Sequence, residues 1–293
     1  MMKKIILNIT GVFMICLGSS LALQAQTGPH GYNPNSVRGE KPLLPIFGKP
    51  IYEADVMFRT TVWRKINLQE KQNHPFFSRE REITQVILDG VKAQKLQPYE
   101  FNSSPTSDGV SSPMEYDYFL SKLSYYDESV GDTIDFRAVD LYLLELKEDW
   151  IFDRRTSRMK HDIQSITLII PQGANAASEL GDVRLATFKY KDLYAYFKKV
   201  YDKSQRKGTF ESVRACWYNP ENPRRHMSLA DALELRLFSS RIVKVANPAD
   251  ENLVTIVNRE FKDQDQKSTK KVLYQSQTME YKLMEYEHNL WEY

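Results

Sequence analysis

Apolar positions along this chain recur with a helical period in some stretches and alternate in others, and the changes of period mark out its elements. Tyr52, Val56, Trp63 and Ile66 share one face of a helix, and the pattern stops at Asn73-His74-Pro75. This spacing predicts a helix after Pro50. Ile83, Val86, Ile87 and Val91 predict a second, amphipathic helix. Asn102 to Pro113 (NSSPTSDGVSSP) carries turn residues throughout and reads as a polar loop. Leu141 to Leu146 is apolar but too short to assign by period. Ser165 to Ile170 predicts a strand closed by Pro171, with a loop running on to Ser178; Leu185 to Phe188 predicts another strand.

In the second half, Leu193, Tyr196, Phe197, Val200 and Tyr201 fall at i, i+3, i+4, i+7 and i+8, a helical stripe. Val213, Ala215 and Trp217 alternate as a strand. Ser228, with Asp231 three residues on, caps a helix bearing Leu229, Leu233 and Leu237. Arg241 to Ala246 reads as extended. Val272, Met279, Leu283, Tyr286 and Leu290 predict a long C-terminal helix. Helices and strands mix without the regular alternation of a doubly wound sheet. The expected class is therefore α+β, with helices and short strands in a single domain over residues 51–293. No internal repeat is present.

Two segments precede that domain. Met1-Met2-Lys3-Lys4 leads into an apolar run from Ile5 to Leu23, and Leu23-Gln24-Ala25-Gln26 then turns polar. Positive charge, apolar core and a small residue before a polar stretch predict a signal peptide, residues 1–25, cleaved after Ala25. Its apolar core of about 10–15 residues is short for a membrane-spanning helix. Cys16 follows Ile15, where lipid attachment requires a small residue. Residues 26–50 carry Gly28-Pro29, Asn33-Pro34, Lys41-Pro42, Leu44-Pro45 and Lys49-Pro50, which bars a helix or a central strand. Leu43, Leu44, Ile46 and Phe47 are apolar, so this stretch reads as an extended arm docked on its own domain or a neighbour; a disordered leader is the alternative.

Removing the signal changes the electrostatics. Of 40 Lys+Arg and 38 Asp+Glu, the signal holds Lys3 and Lys4 and no acid, so the remainder is balanced at 38 each. That balance argues against a nucleic-acid binder, whose phosphate contacts require a basic excess. It also removes the self-repulsion that keeps copies apart. Only Cys216 lies beyond the signal, so no internal disulfide forms there. No later apolar run reaches spanning length.

Catalytic patterns are missing: no G-x-G-x-x-G, G-x-x-x-x-G-K, G-x-S-x-G or H-E-x-x-H. His30, His74, His161, His226 and His288 are isolated from one another and from cysteine at metal-ligand spacing. S-x-x-K occurs at Ser157, Ser204 and Ser268 without the companion motifs that give it meaning. No catalytic residue, metal ligand or cofactor is assigned. Aromatic residues set among charges stand out instead. Trp150 lies in Lys147-Glu148-Asp149-Trp150-Ile151-Phe152-Asp153-Arg154-Arg155, Trp63 precedes Arg64-Lys65, and Trp291 closes Glu287-His288-Asn289-Leu290-Trp291. Each Trp either anchors the core or serves an interface, where Trp and Arg dominate binding energy. Trp291, Trp150, Trp63, Arg154 and Arg155 are the candidate interface residues.

These same segments carry a resemblance. Glu53 to Phe58, Thr61 to Lys71 and Asn73 to Phe77 resemble the opening motif of the GldN family, also called PorN. Lys147 to Arg155 with Ser157 and Met159 is similar to its second block. Asn219-Pro220-Glu221-Asn222, Leu229-Ala230-Asp231 and Arg236 to Lys244 are similar to its third, and Tyr286 to Tyr293 to its ending. The resemblance implies a periplasmic component of the Bacteroidetes type IX secretion system. It further implies large rings under the outer membrane, self-association, a GldK/PorK-type lipoprotein partner and a GldM/PorM-type motor partner. It implies no catalytic centre. The alternatives are a periplasmic peptidoglycan-associated or ligand-binding module, and an exported hydrolase.

Overall fold

The computed structural model describes residues 51–127, 131–173, 181–206, 214–222, 224–260 and 268–291. The expected signal peptide, the arm, most of the loop after Pro171, and Val213 lie outside the described residues. The chain runs through β1 (Val56–Asn67), α1 (Ile83–Lys92), β2 (Tyr99–Phe101), β3 (Val110–Pro113), α2 (Tyr116–Lys122) and β4 (Ser124–Asp127). There follow β5 (Asp132–Asp135), β6 (Leu143–Asp153), β7 (Arg158–Ile170), β8 (Val183–Lys189) and α3 (Tyr190–Gln205). β9 (Cys216–Trp217), β10 (Met227–Ser228), α4 (Leu229–Glu234), β11 (Arg241–Val245), α5 (Leu253–Glu260) and α6 (Ser268–Leu290) complete it. The class is α+β.

Seven strands form one antiparallel sheet in the order β11-β1-β6-β7-β8-β2-β3. Three adjacent strands, β1, β6 and β7, run 12, 11 and 13 residues, longer than the short strands expected. The helix expected after Pro50 is instead β1. Trp63 and Ile66 have opposite parity in a strand and point to opposite faces, yet both are buried because both faces are covered. Covering both faces erases the polar alternation that identifies a strand, and leaves apolar spacings that mimic a helix. Thr60, Thr61 and Val62, β-branched in succession, favour the extended chain. The unassigned run at 141–146 leads into β6, buried at every position.

One sheet face is apolar. Ile66, Leu144, Leu146, Ile166, Leu168 and Phe188 pack there against α1, α3 and α4. A second, smaller core joins Val62, Trp150 and Ile242 of the sheet to Leu253 of α5 and Leu283 of α6. α1, α3, β8 and α6 fall where the periodicity placed them, and α4 begins there but ends at Glu234, before the expected Leu237. Ser228 caps α4 as expected, its Oγ accepting from the Asp231 N–H at 3.2 Å.

The opposite face is polar: Lys244, Trp63, Lys147 and Ser165 form one cross-strand row, Lys65, Glu145, Thr167 and Thr187 the next. The 102–109 loop lies across it as a strap. Lys147 Nζ donates to the Ser104 and Ser107 carbonyls at 2.5 and 2.7 Å, and Lys244 Nζ to that of Ser103 at 3.3 Å. Gly109 (φ 86°) lets the strap descend: a Cβ there would sit 2.2 Å from Ser165 Oγ. The last four residues of the predicted loop pair with β2 as β3.

Candidate interaction surface

The segments that carry the family resemblance meet in space, and at their centre lies a charge cluster with every group partnered. Glu148 is fully buried on the helix-covered face of β6. It accepts from Arg64 Nε at 2.9 Å, from Trp150 Nε1 at 2.7 Å, and from both terminal nitrogens of Arg236. Arg64 continues outward to Ser240 Oγ at 3.0 Å and Glu280 Oε1 of α6 at 2.8 Å, and its guanidinium stands 5.4 Å from the Trp150 ring. Arg236 reaches the cluster because the chain turns after α4 through a left-handed backbone (φ 54°). Burial pushes the Glu148 carboxyl up, but Arg236 and Arg64 overcome it and hold the group below its ordinary range.

His161 packs edge-on against Trp150, ring centroids 4.5 Å apart. Burial, with Arg236 adding to it, pushes its imidazole down to about 4, so the ring is neutral at pH 7. Asn73, also buried, ties the same blocks together. It donates to the carbonyls of Asn67 and Ser239 and accepts from the Ser239 N–H.

This arrangement holds structure and offers little chemistry. Both oxygens of Glu148 accept from cationic or indole donors, which suits a structural lock better than proton transfer to a substrate. Burial pushes the Cys216 thiol up to about 11, away from nucleophilic use. Among the described residues no group of three His, Cys, Asp or Glu side chains is arranged to hold a metal ion. A cleft of about 510 Å³ lies between the β4–β5 hairpin and the end of β7, lined by Tyr125, Phe136, Tyr142 and Gln172. Its charged pair, Arg137 and Asp140, is joined side chain to side chain at 3.0 Å.

The candidate interface residues separate into two groups. Trp63 is 1% exposed, with Lys244 Nζ 4.3 Å and Lys147 Nζ 5.1 Å from its ring centre, and Trp150 is 6% exposed. Neither presents a surface in the single chain. Arg154, Arg155 and Trp291 are exposed and gather at one end of the molecule. The two arginines occupy the β6–β7 turn, where the buried Asp153 accepts from the Arg155 N–H, Thr156 Oγ1 and Lys160 Nζ at 2.8–3.0 Å. Burial pushes Asp153 up, and Lys160 and Thr156 more than offset it, holding the carboxyl below its usual range. Just past the turn, the Met159 N–H donates to Glu287 of α6 at 3.3 Å, and Phe58 packs on Tyr286 at 4.5 Å. Trp291, 58% exposed, directly follows α6, four residues past Glu287, at the same end as the arginine turn.

Sequence reading missed Glu148, Arg64, Arg236 and His161 as a unit. Their spacing is long-range, 84 residues from Arg64 to Glu148 and 88 from Glu148 to Arg236, and only the topology joins them. No described helix is long and apolar enough to cross a membrane. Whole-sequence comparison with curated proteins returns no match. The model of one family, described as gliding motility associated protein GldN, matches residues 51–292. That span covers the sheet, the buried cluster and the exposed end, and the chain belongs to the GldN family, components of gliding motility and type IX secretion machinery.

Proposed function

We propose that this chain is a non-enzymatic structural subunit of a periplasmic ring on the inner face of the outer membrane, coupling the inner-membrane motor to the outer-membrane translocon of type IX secretion. The observation that carries the reading is the family match over residues 51–292. The architecture suits the role. A subunit that transmits force has to resist shear, and a long antiparallel sheet locked by a buried Arg–Glu–Arg cluster supplies rigidity. Its partners are a GldK/PorK-type lipoprotein, a GldM/PorM-type motor domain and further copies of itself. The arginine turn and Trp291 form the contact surface: two cations in a fixed turn beside a large exposed aromatic. Fractionation of the host envelope tests this. The protein is expected in a large outer-membrane-associated complex and lost from it when the lipoprotein is deleted. A monomer in membrane-free periplasm would overturn the proposal.

A further inference from the structure

The outward side of α6 carries an apolar stripe that nothing among the described residues covers. Tyr274, Tyr281, Met284 and Trp291 are 68%, 68%, 51% and 58% exposed, and with Gln277 and His288 they recur at alternating steps of three and four. At 3.6 residues per turn this stripe lies roughly 140° round the helix from the face that holds Ser276, Met279 and Leu283 against the sheet. A surface helix with polar residues at those places would be ordinary; tyrosine, methionine and tryptophan in register are a binding face.

The geometry points to residues Pro42 to Phe47 of the same chain as the occupant, laid along Tyr281, Met284 and His288. Three observations select this segment. The first is reach. β1 starts beside the C-terminal half of α6, through Phe58 on Tyr286 and Met159 on Glu287. The described chain begins at the buried Ile51, four residues before Asp55, whose carbonyl accepts from the Arg154 N–H in the turn at that end. Leu43 to Phe47 lie four to eight residues upstream, a span of roughly 12–25 Å in an extended Pro-rich chain. That matches the roughly 25 Å of helix from Tyr274 to Trp291.

The second is chemistry. Pro-rich segments dock on aromatic platforms because their extended conformation is largely fixed beforehand, so little entropy is lost. Pro42-Leu43-Leu44-Pro45-Ile46-Phe47 is such a segment, and Tyr281 and Tyr274 are such a platform. Charge agrees: Lys41 and Lys49 bracket the apolar block, while Glu285 flanks the stripe near the C-terminal end of α6, where the helix dipole is negative. The third is size. Tyr274, Tyr281 and Met284 leave roughly 400 Å² uncovered, below the ~800 Å² per partner that a stable dimer buries, so an arm fits the stripe better than a second copy. The inference goes beyond the ring assignment, because it concerns the isolated subunit and leaves the Trp291 end open to partners.

Cross-linking tests it on the mature chain. The double variant Phe47→Cys, Met284→Cys is treated with a short bis-maleimide; Cys216, buried with its thiol pushed up to about 11, contributes little background. The control pair is Phe47→Cys with Lys199→Cys, exposed on α3. A cross-link within one chain, formed at least tenfold faster than in the control, is the expected result. A cross-linked dimer would overturn the same-chain assignment, and equal rates in both pairs would overturn docking itself. Amide exchange gives an independent reading. Residues 43–47 are expected to be protected in the parent and to lose that protection in Tyr281→Ser, Met284→Ser; parental exchange no slower than in the variant would contradict the inference.

Discussion

In β6, the run Lys147-Glu148-Asp149-Trp150 is buried along its whole length, whereas His288-Asn289-Leu290-Trp291 at the end of α6, a similar mix of aromatic and polar residues, lies largely in water. The difference follows from position. β6 has a strand on either side and cover on both faces, so each of its charges has to find a partner: Arg64 and Arg236 for Glu148, Arg59 and Thr61 for Asp149, strap carbonyls for Lys147. A terminal helix buries one stripe only, and whatever stands on its other side is available for recognition. Charge beside tryptophan thus signals a locked interior in the first case and an open surface in the second.

The contrast breaks most visibly at Glu148. Glu148→Ala strands two arginines in a buried site and is expected to cost about 3–5 kcal/mol in urea unfolding. A loss under about 1 kcal/mol would mean that the cluster is not the lock described. The opposite pattern is expected at the other end. Trp291→Ala should leave urea stability within about 0.5 kcal/mol of the parent while weakening binding to isolated envelope partners by about 2–4 kcal/mol. Lowered stability with parental binding would make Trp291 a packing residue.

Acid sharpens the comparison. Folding depresses the His161 pKa to about 4 from 6.5, so over that window the unfolded chain takes up a proton that the folded chain refuses. Stability from this group is therefore complete above 6.5 and falls as pH drops towards 4, by about 2 kcal/mol after allowing for partial exposure. Glu148, also depressed, adds its own loss at still lower pH, as it is protonated. His161→Gln should flatten the urea-midpoint profile between pH 6.5 and 4; an unchanged slope would assign the loss elsewhere. The smallest effect is expected at a helix end that contacts neither Glu148 nor Trp291 directly. Ser228→Ala removes the α4 cap and should cost about 1 kcal/mol without changing partner binding.

How much of this was legible depended on how many faces an element buries. α1, α3, α4 and α6 each show solvent on one side, and their stripes survive in the sequence. β6 shows none, and β1 none over Thr61–Arg64, so β1 read as a helix and β6 as unassignable. α2, the β4–β5 hairpin and α5 are short, and too few turns or alternations accumulate to register a period; α4, shorter still, was marked by its Ser228 cap. The interface candidates were found by residue type, which does not report burial; Trp63 and Trp150 went inside, while Arg154, Arg155 and Trp291 stayed out. The charge cluster was invisible because its members are joined by sheet register and by the turn after α4, both long-range facts.

One measurement bears most directly on the claim that the exposed end serves assembly while the buried motif serves the fold. The variant Arg154→Glu, Arg155→Glu, Trp291→Ala is expressed in the host, and its thermal midpoint and its distribution between the proposed outer-membrane-associated complex and free periplasm are recorded. The account predicts a parental thermal midpoint with the protein shifted to the free fraction. A folded variant that enters the complex at the parental level would contradict it.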